Sequence, residues 1–199
     1  MNNLVVGITG ASGSIYGLRL VEELLRTGKQ VTLLLTNAGR QVLAFETGLQ
    51  LAEDSQDCRA QLREHFKAGE QLGHFALNDF FAPIASGSSA PDAVVICPCS
   101  LGTAGRIAAG LSDNLLERVA DVALKERRQL LLVPRETPFN QIHLENLLRL
   151  SQAGAQILPA MPGFYNRPQT VADLVDFVVG KILDQLGVEH QLFKRWGEK

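Results

Sequence analysis

The sequence predicts one α/β domain: a Rossmann-like or flavodoxin-like parallel sheet with helices on both faces. Three observations carry that expectation. Short Val/Ile/Leu-rich runs alternate with stretches of helical periodicity. The first run passes through a Gly/Ser-rich turn straight into a helix, which opens a βαβ unit. No repeat or linker divides the 199 residues, and 46% apolar content is enough for one substantial core.

Residues 4–8 (LVVGI) read as a fully buried strand, and residues 15–25 as a helix with Leu18, Val21, Leu24 and Leu25 on one side. A second buried strand covers 31–35, and a helix follows over roughly 40–47. The polar stretch 51–67 reads as a helix or a covering insertion. Residues 78–91 form a loop long enough to need a functional reason. A strand at 93–96 ends in Cys97-Pro98-Cys99-Ser100, and helices are expected over 101–109 and 114–125. The strand 130–133 closes on Pro134, a helix covers 142–153, and a short strand covers 156–158. Beyond Pro/Gly turns at 159–168, the last helix spans 171–186. The tail, 187–199, carries Phe193 and Trp196 and is expected to dock near the active site or on a neighbouring subunit.

The formal charge of -2, with Lys and Arg dispersed, argues against a nucleic-acid face. No apolar run reaches membrane-spanning length, and no signal-peptide pattern opens the chain, so a cytoplasmic location is expected. Three cysteines make no disulfide framework. Neither they nor the four histidines have metal-ligand spacing, so no metal is expected.

Gly10 and Gly13 allow a sharp strand-to-helix turn whose exposed amides can hold a phosphate, with Ser12 adding a hydroxyl or capping the helix. An NAD site wants an acidic residue after the second strand, where Thr36-Asn37 stands instead. Arg40 keeps an NADP site open, but neither Tyr16 nor Tyr165 has a lysine four residues on, so the reductase pair is missing. Ligands of parallel sheets sit beyond the strands' carboxyl ends. Those ends supply Ser12, Thr36, Ser100 with Thr103, and Arg135 with Glu136. Helix capping competes with ligand contact for Ser100 and Thr103. A reactive thiol at Cys99 stays open. Arg118 and Lys125, seven apart, share one helix face.

The motifs Thr9-Gly10-Ala11-Ser12-Gly13, Ala85-Ser86-Gly87-Ser88-Ser89 and Ile96-Cys97-Pro98-Cys99-Ser100 then combine with four more. These are Asp113 through Arg118, Ala120 through Lys125, Val133-Pro134-Arg135-Glu136 and Pro162-Gly163-Phe164-Tyr165. Together they closely resemble the flavin prenyltransferases, formerly described as the small subunit of a 3-polyprenyl-4-hydroxybenzoate decarboxylase and related to the cysteine decarboxylases. The resemblance covers nearly the whole chain. It implies prenyl transfer from dimethylallyl phosphate to N5 and C6 of reduced FMN, with release of phosphate. The product, prenylated FMN, would serve a partner decarboxylase of the ubiquinone-biosynthesis type. The family forms homododecamers with sites at subunit interfaces.

Carried over, the resemblance assigns FMN to Gly10, Ala11, Ser12, Thr36, Ser100, Leu101, Gly102, Thr103 and Arg135. It assigns the prenyl phosphate to Tyr165 and Lys181, with Lys125, Glu136 and Arg118 on the phosphate side. Ala85 and Ser86 would flank the prenyl group, and Trp196 would close over it. Thr36 stands where the family often has serine, and Lys181 where some relatives have arginine, which loses the bidentate fork. Ser12, Lys125, Glu136 and Tyr165 are the expected catalytic set. A cysteine-type decarboxylase would want a histidine after the first turn, and residues 12–18 hold none. A non-catalytic flavin-binding subunit would leave Lys125, Glu136, Tyr165 and Lys181 without a purpose.

Overall fold

The computed structural model describes residues 1–195. Six parallel strands form one sheet: β1 (Asn3–Ile8), β2 (Gln30–Leu35), β3 (Leu72–His74), β4 (Ala93–Cys99), β5 (Gln129–Pro134) and β6 (Gln156–Ile157). Their order is β3-β2-β1-β4-β5-β6. Of the two doubly wound orders open from sequence, this is the Rossmann one, with its switch point between β1 and β4.

Alternation along the strands divides the core in two. Leu4, Val6 and Ile8 of β1 pack under α1 (Ser14–Arg26), α3 (Ser55–Phe66) and α7 (Val171–Leu186). Val5 and Ile96 face α4 (Leu101–Ala108), α5 (Leu115–Lys125) and α6 (Gln141–Gln152). Burial on both faces explains why the strands read as continuous apolar runs. The 78–91 loop holds two short 3-10 turns, Pro83–Ala85 and Gly87–Ser89, the first of them packed on the second face.

Three elements differ from expectation, and β4 is one: it runs through the expected turn to Cys99 and pairs there with Pro134. β3 was not anticipated. Its three residues pair only with β2, and nothing in Leu-Gly-His marks a strand locally. α2 (Asn37–Thr47) begins three residues before the expected start, because the Thr36 hydroxyl accepts from the Gly39 amide at 3.0 Å and caps it. The tail up to residue 195 lies on its own chain's α7. A side chain at Gly180 would collide with Phe193 and His190. Trp196 lies outside the described residues.

Candidate active site at the carboxyl ends of the strands

The turn after β1 needs glycine at its end: Gly13 has φ 105, in the left-handed region, and caps α1. The amides at this helix start do face an anion, as expected, but the anion belongs to the protein. The Glu46 carboxylate, from α2, accepts from Gly13 N at 3.0 Å and Ser14 N at 2.8 Å. The helix end expected to meet a phosphate is thus met by a side-chain carboxylate. An internal carboxylate satisfies the same amides and dipole. Burial raises the Glu46 carboxyl, but the Ser12 hydroxyl and the Ser14 and Gly13 amides outweigh burial and hold its pKa below the ordinary value.

The other expected flavin residues converge on this turn. Arg135, just past β5, donates through Nε to the Ser12 carbonyl at 3.0 Å. Thr36 follows β2, and its amide donates to Ile8 O at 3.0 Å. Ser100 follows β4 and caps α4. Its Oγ accepts from Thr103 N at 3.3 Å and lies 3.0 Å from Thr103 Oγ1. Thus Gly10, Ala11, Ser12, Thr36, Ser100, Leu101, Gly102, Thr103 and Arg135 stand together around the switch point. Capping leaves the Thr36 hydroxyl proton available to a ligand, and of the paired Ser100 and Thr103 hydroxyls one donates to the other and one keeps its proton available. Gly102 has open space where a side chain would project. Hydroxyls, amides, one guanidinium and an open cradle suit a flavin with its phosphate.

Arg40 does not serve a second phosphate. It donates to Ala52 O at 2.8 Å and pairs with His74 Nε2 at 3.2 Å. Cys99 is not a reactive thiol either, since burial pushes it up to about 12. Among the described residues no group of His, Cys, Asp or Glu could hold a metal ion.

A second group lies on the α5 face. Arg118 Nε donates to Ala85 O at 3.1 Å and its NH1 reaches Asp121 at 2.9 Å. Lys125 pairs with Glu126, and both sit against Gly87, where any side chain would displace them. Arg118 and Lys125 thereby hold the 85–89 loop, in which the Ser86 and Ser88 hydroxyls are 2.9 Å apart. A third group surrounds Phe177. The Tyr165 ring meets it edge-on with centroids 5.5 Å apart, and Lys181 Nζ lies 5.9 Å from it and 5.6 Å from Phe193. A cavity of about 710 Å³ opens here, lined by Tyr165, Arg167, Phe177 and Phe193.

These groups do not merge within one chain. Lys125 precedes β5 and Glu136 follows it, so the strand's six residues hold them about 20 Å apart. Glu136 accepts from Thr137 N at 3.1 Å.

The fold recurs in known proteins. A family model described as Flavoprotein matches residues 1–183. A flavin prenyltransferase, UbiX, of Halalkalibacterium halodurans is 56% identical over 195 residues, covering 98% of this chain and 93% of its own. The chain belongs to the flavin prenyltransferase family. Among solved structures, AnUbiX (PadA1) in complex with FMN and dimethylallyl pyrophosphate is similar with a TM-score of 0.89 and 35% identity, over 100% of this chain and 98% of that one. A dodecameric FMN-dependent UbiX-like decarboxylase from Escherichia coli O157:H7 gives 0.86 and 39%, over 98% and 99%. This membership makes the chain an enzyme of flavin prenylation. Sequence reasoning missed one residue of the candidate site, Glu46. It lies 33 residues from Gly13 in an ordinary-looking helix, and only the fold brings it to the turn.

Proposed function

We propose that this flavin prenyltransferase joins the dimethylallyl group of dimethylallyl phosphate to N5 and C6 of reduced FMN, releasing phosphate. The observation that carries the reading is the convergence of the hydroxyls, the Arg135 guanidinium and the Ser12–Glu46 pair on the switch point. Bound reduced flavin supplies the nucleophilic positions, and the chain's residues do the rest. Gly10, Ala11, Ser12, Thr36, Ser100 to Thr103 and Arg135 orient the flavin. Lys125, Arg118 and Lys181 stabilise charge on the departing phosphate, the main electrostatic task when an allylic C–O bond breaks without a metal. Tyr165 donates a hydrogen bond to that phosphate. Glu136 carries a proton to the leaving phosphate or away from C6, and Ser12 with Glu46 forms a second relay beside N5.

The length of β5 supports a site assembled from more than one subunit, with Lys125 and Arg118 of one copy facing Glu136 of another. Exposed Phe45, Phe81, Ile142, Leu148 and Phe164 supply apolar surface for such contacts. A homododecamer fits this need, and the dodecameric relative supports it. Trp196 would close the site. The chain would work in the cytoplasm and pass prenylated FMN to a decarboxylase that depends on it.

Anaerobic incubation with reduced FMN and dimethylallyl phosphate, followed by mass spectrometry of the flavin, tests the reaction. Prenylated flavin is expected, and recovery of only FMN from folded protein would overturn the reading. A parallel arm with dimethylallyl pyrophosphate sets the phosphate preference. Glu136→Gln turning over at the parent rate would remove Glu136 from the proton relay.

A further inference from the structure

We infer that Thr9 is a positioning residue for flavin binding: its hydroxyl fixes the spacing of the two turns that flank the switch point. This rests on the flavin site proposed above. Thr9 is fully buried and touches no crevice itself. Its Oγ1 donates to Pro98 O at 2.8 Å and accepts from Ser100 N at 2.8 Å. Its amide also donates to Pro98 O at 3.3 Å. One hydroxyl thus uses donor and acceptor together, which no apolar side chain of the same shape can do.

Its place in the sheet gives this contact its consequence. The β1–β4 ladder runs in register from Leu4 with Ala93 to Gly7 with Ile96. Past Ile96, β4 shifts register against β5, and the regular pairing that would hold β4 beside β1 stops. The Thr9 side chain takes over at that point. It ties the start of the Gly10–Ser12 turn to the Ser100 amide, and Ser100 in turn caps α4 and sets Leu101 and Gly102. A change at Thr9 therefore alters the separation of the two halves of the flavin cradle. Lys125 pairs instead with Glu126, and Lys181 lies over the Phe177 and Phe193 rings.

The test uses the full-length chain with Thr9→Val, Thr9→Ala and Thr9→Ser. FMN affinity is read by flavin fluorescence, the flavin's setting by visible circular dichroism, and stability by urea unfolding without flavin. Thr9→Val is expected to raise the Kd and KM for FMN about tenfold, the equivalent of one net hydrogen bond. It should change the visible dichroism and leave the KM for dimethylallyl phosphate unaltered. Thr9→Ser is expected to restore parent values. If Thr9→Val does not fold, Thr9→Ala is read the same way. A folded Thr9→Val or Thr9→Ala with parent FMN affinity and dichroism would overturn the inference, since a merely structural role lowers stability alone. So would a Thr9→Ser protein as impaired as Thr9→Val. A parent chain that bound no FMN would overturn the flavin site itself.

Discussion

Gly17, in the second turn of α1, sets how closely that helix approaches the sheet, and replacing it with alanine has an effect whose sign can be worked out. On helix propensity alone, Gly17→Ala stabilises by about 1 kcal/mol. Here the added carbon would stand 2.7 Å from Ile8 Cγ1 and 2.8 Å from its Cδ1, against 3.4 Å for ordinary contact, and closer still to the Cys97 carbonyl oxygen. Ile8 is fully buried and the carbonyl belongs to the backbone, so neither can turn aside. The helix must move instead, at an overpacking cost of about 1–3 kcal/mol. Moving it also draws the Gly13 and Ser14 amides off Glu46, and weakening charge-assisted bonds of that kind costs about 1.5 kcal/mol more. The net is a destabilisation of about 2 kcal/mol, which lowers the melting temperature of a domain of this size by about 4–8 °C. Calorimetry of the flavin-free protein reads it directly. A Gly17→Ala protein melting at or above the parent would refute the argument that packing outweighs propensity.

Glu46→Gln keeps a side chain that can reach the α1 amides but removes the charge and the basic oxygen. It is expected to slow prenyl transfer about a hundredfold, the lower range for loss of a positioned acid–base group. FMN affinity should change little, and single-turnover flavin mass spectrometry at saturating FMN would check this. His74 gives a pH dependence of stability. It is buried, its Nδ1 lies 2.7 Å from the Leu33 carbonyl, and its Nε2 faces Arg40. Burial, with Arg40 and Arg59 adding repulsion, pushes its pKa below the ordinary 6.5 despite the Leu33 bond. The unfolded chain then binds the proton more tightly. The contribution of neutral His74 is fully present above about pH 6.5 and is lost as the pH falls through its lower folded value. Urea midpoints should therefore drop between pH 7.5 and 5.5, and less so in His74→Asn. An equal drop in both proteins would show that His74 is not the group responsible.

What could be read from the sequence divides along physical lines. β1, β2, β4 and β5 are apolar on both faces and announce themselves. So do helices with a clear apolar stripe, such as α7, whose bounds match expectation at both ends. β3 and the first turn of α2 do not. The Asn37-Ala38-Gly39 sequence looks like a turn, yet it is helical under the Thr36 cap, and residue 39 is glycine because α2 passes too close to the Ile8 carbonyl for any side chain there. Within the site, residues adjacent to strand ends were legible because the fold class dictates where ligands sit, which covers Ser12, Thr36, Ser100 and Arg135. Lys125, Tyr165 and Lys181 came from the family resemblance, since a lysine in a charged run or a tyrosine in a loop carries no signal by itself. Glu46 and Thr9 were invisible for a third reason. Their roles are hydrogen bonds across 33 and about 90 residues of chain, and no local pattern encodes those.

The six residues of β5 keep Lys125 and Glu136 at opposite ends of the sheet, and this bears on how damage is shared in the assembled enzyme. If each site takes its two halves from different copies, a defective chain harms its neighbours' sites as well as its own. Two inactive variants, one altered at Lys125 and one at Glu136, would then recover activity when their subunits are mixed, because some sites receive both intact halves. In a cell carrying one sound and one faulty gene copy, the same geometry makes the faulty chain partly dominant.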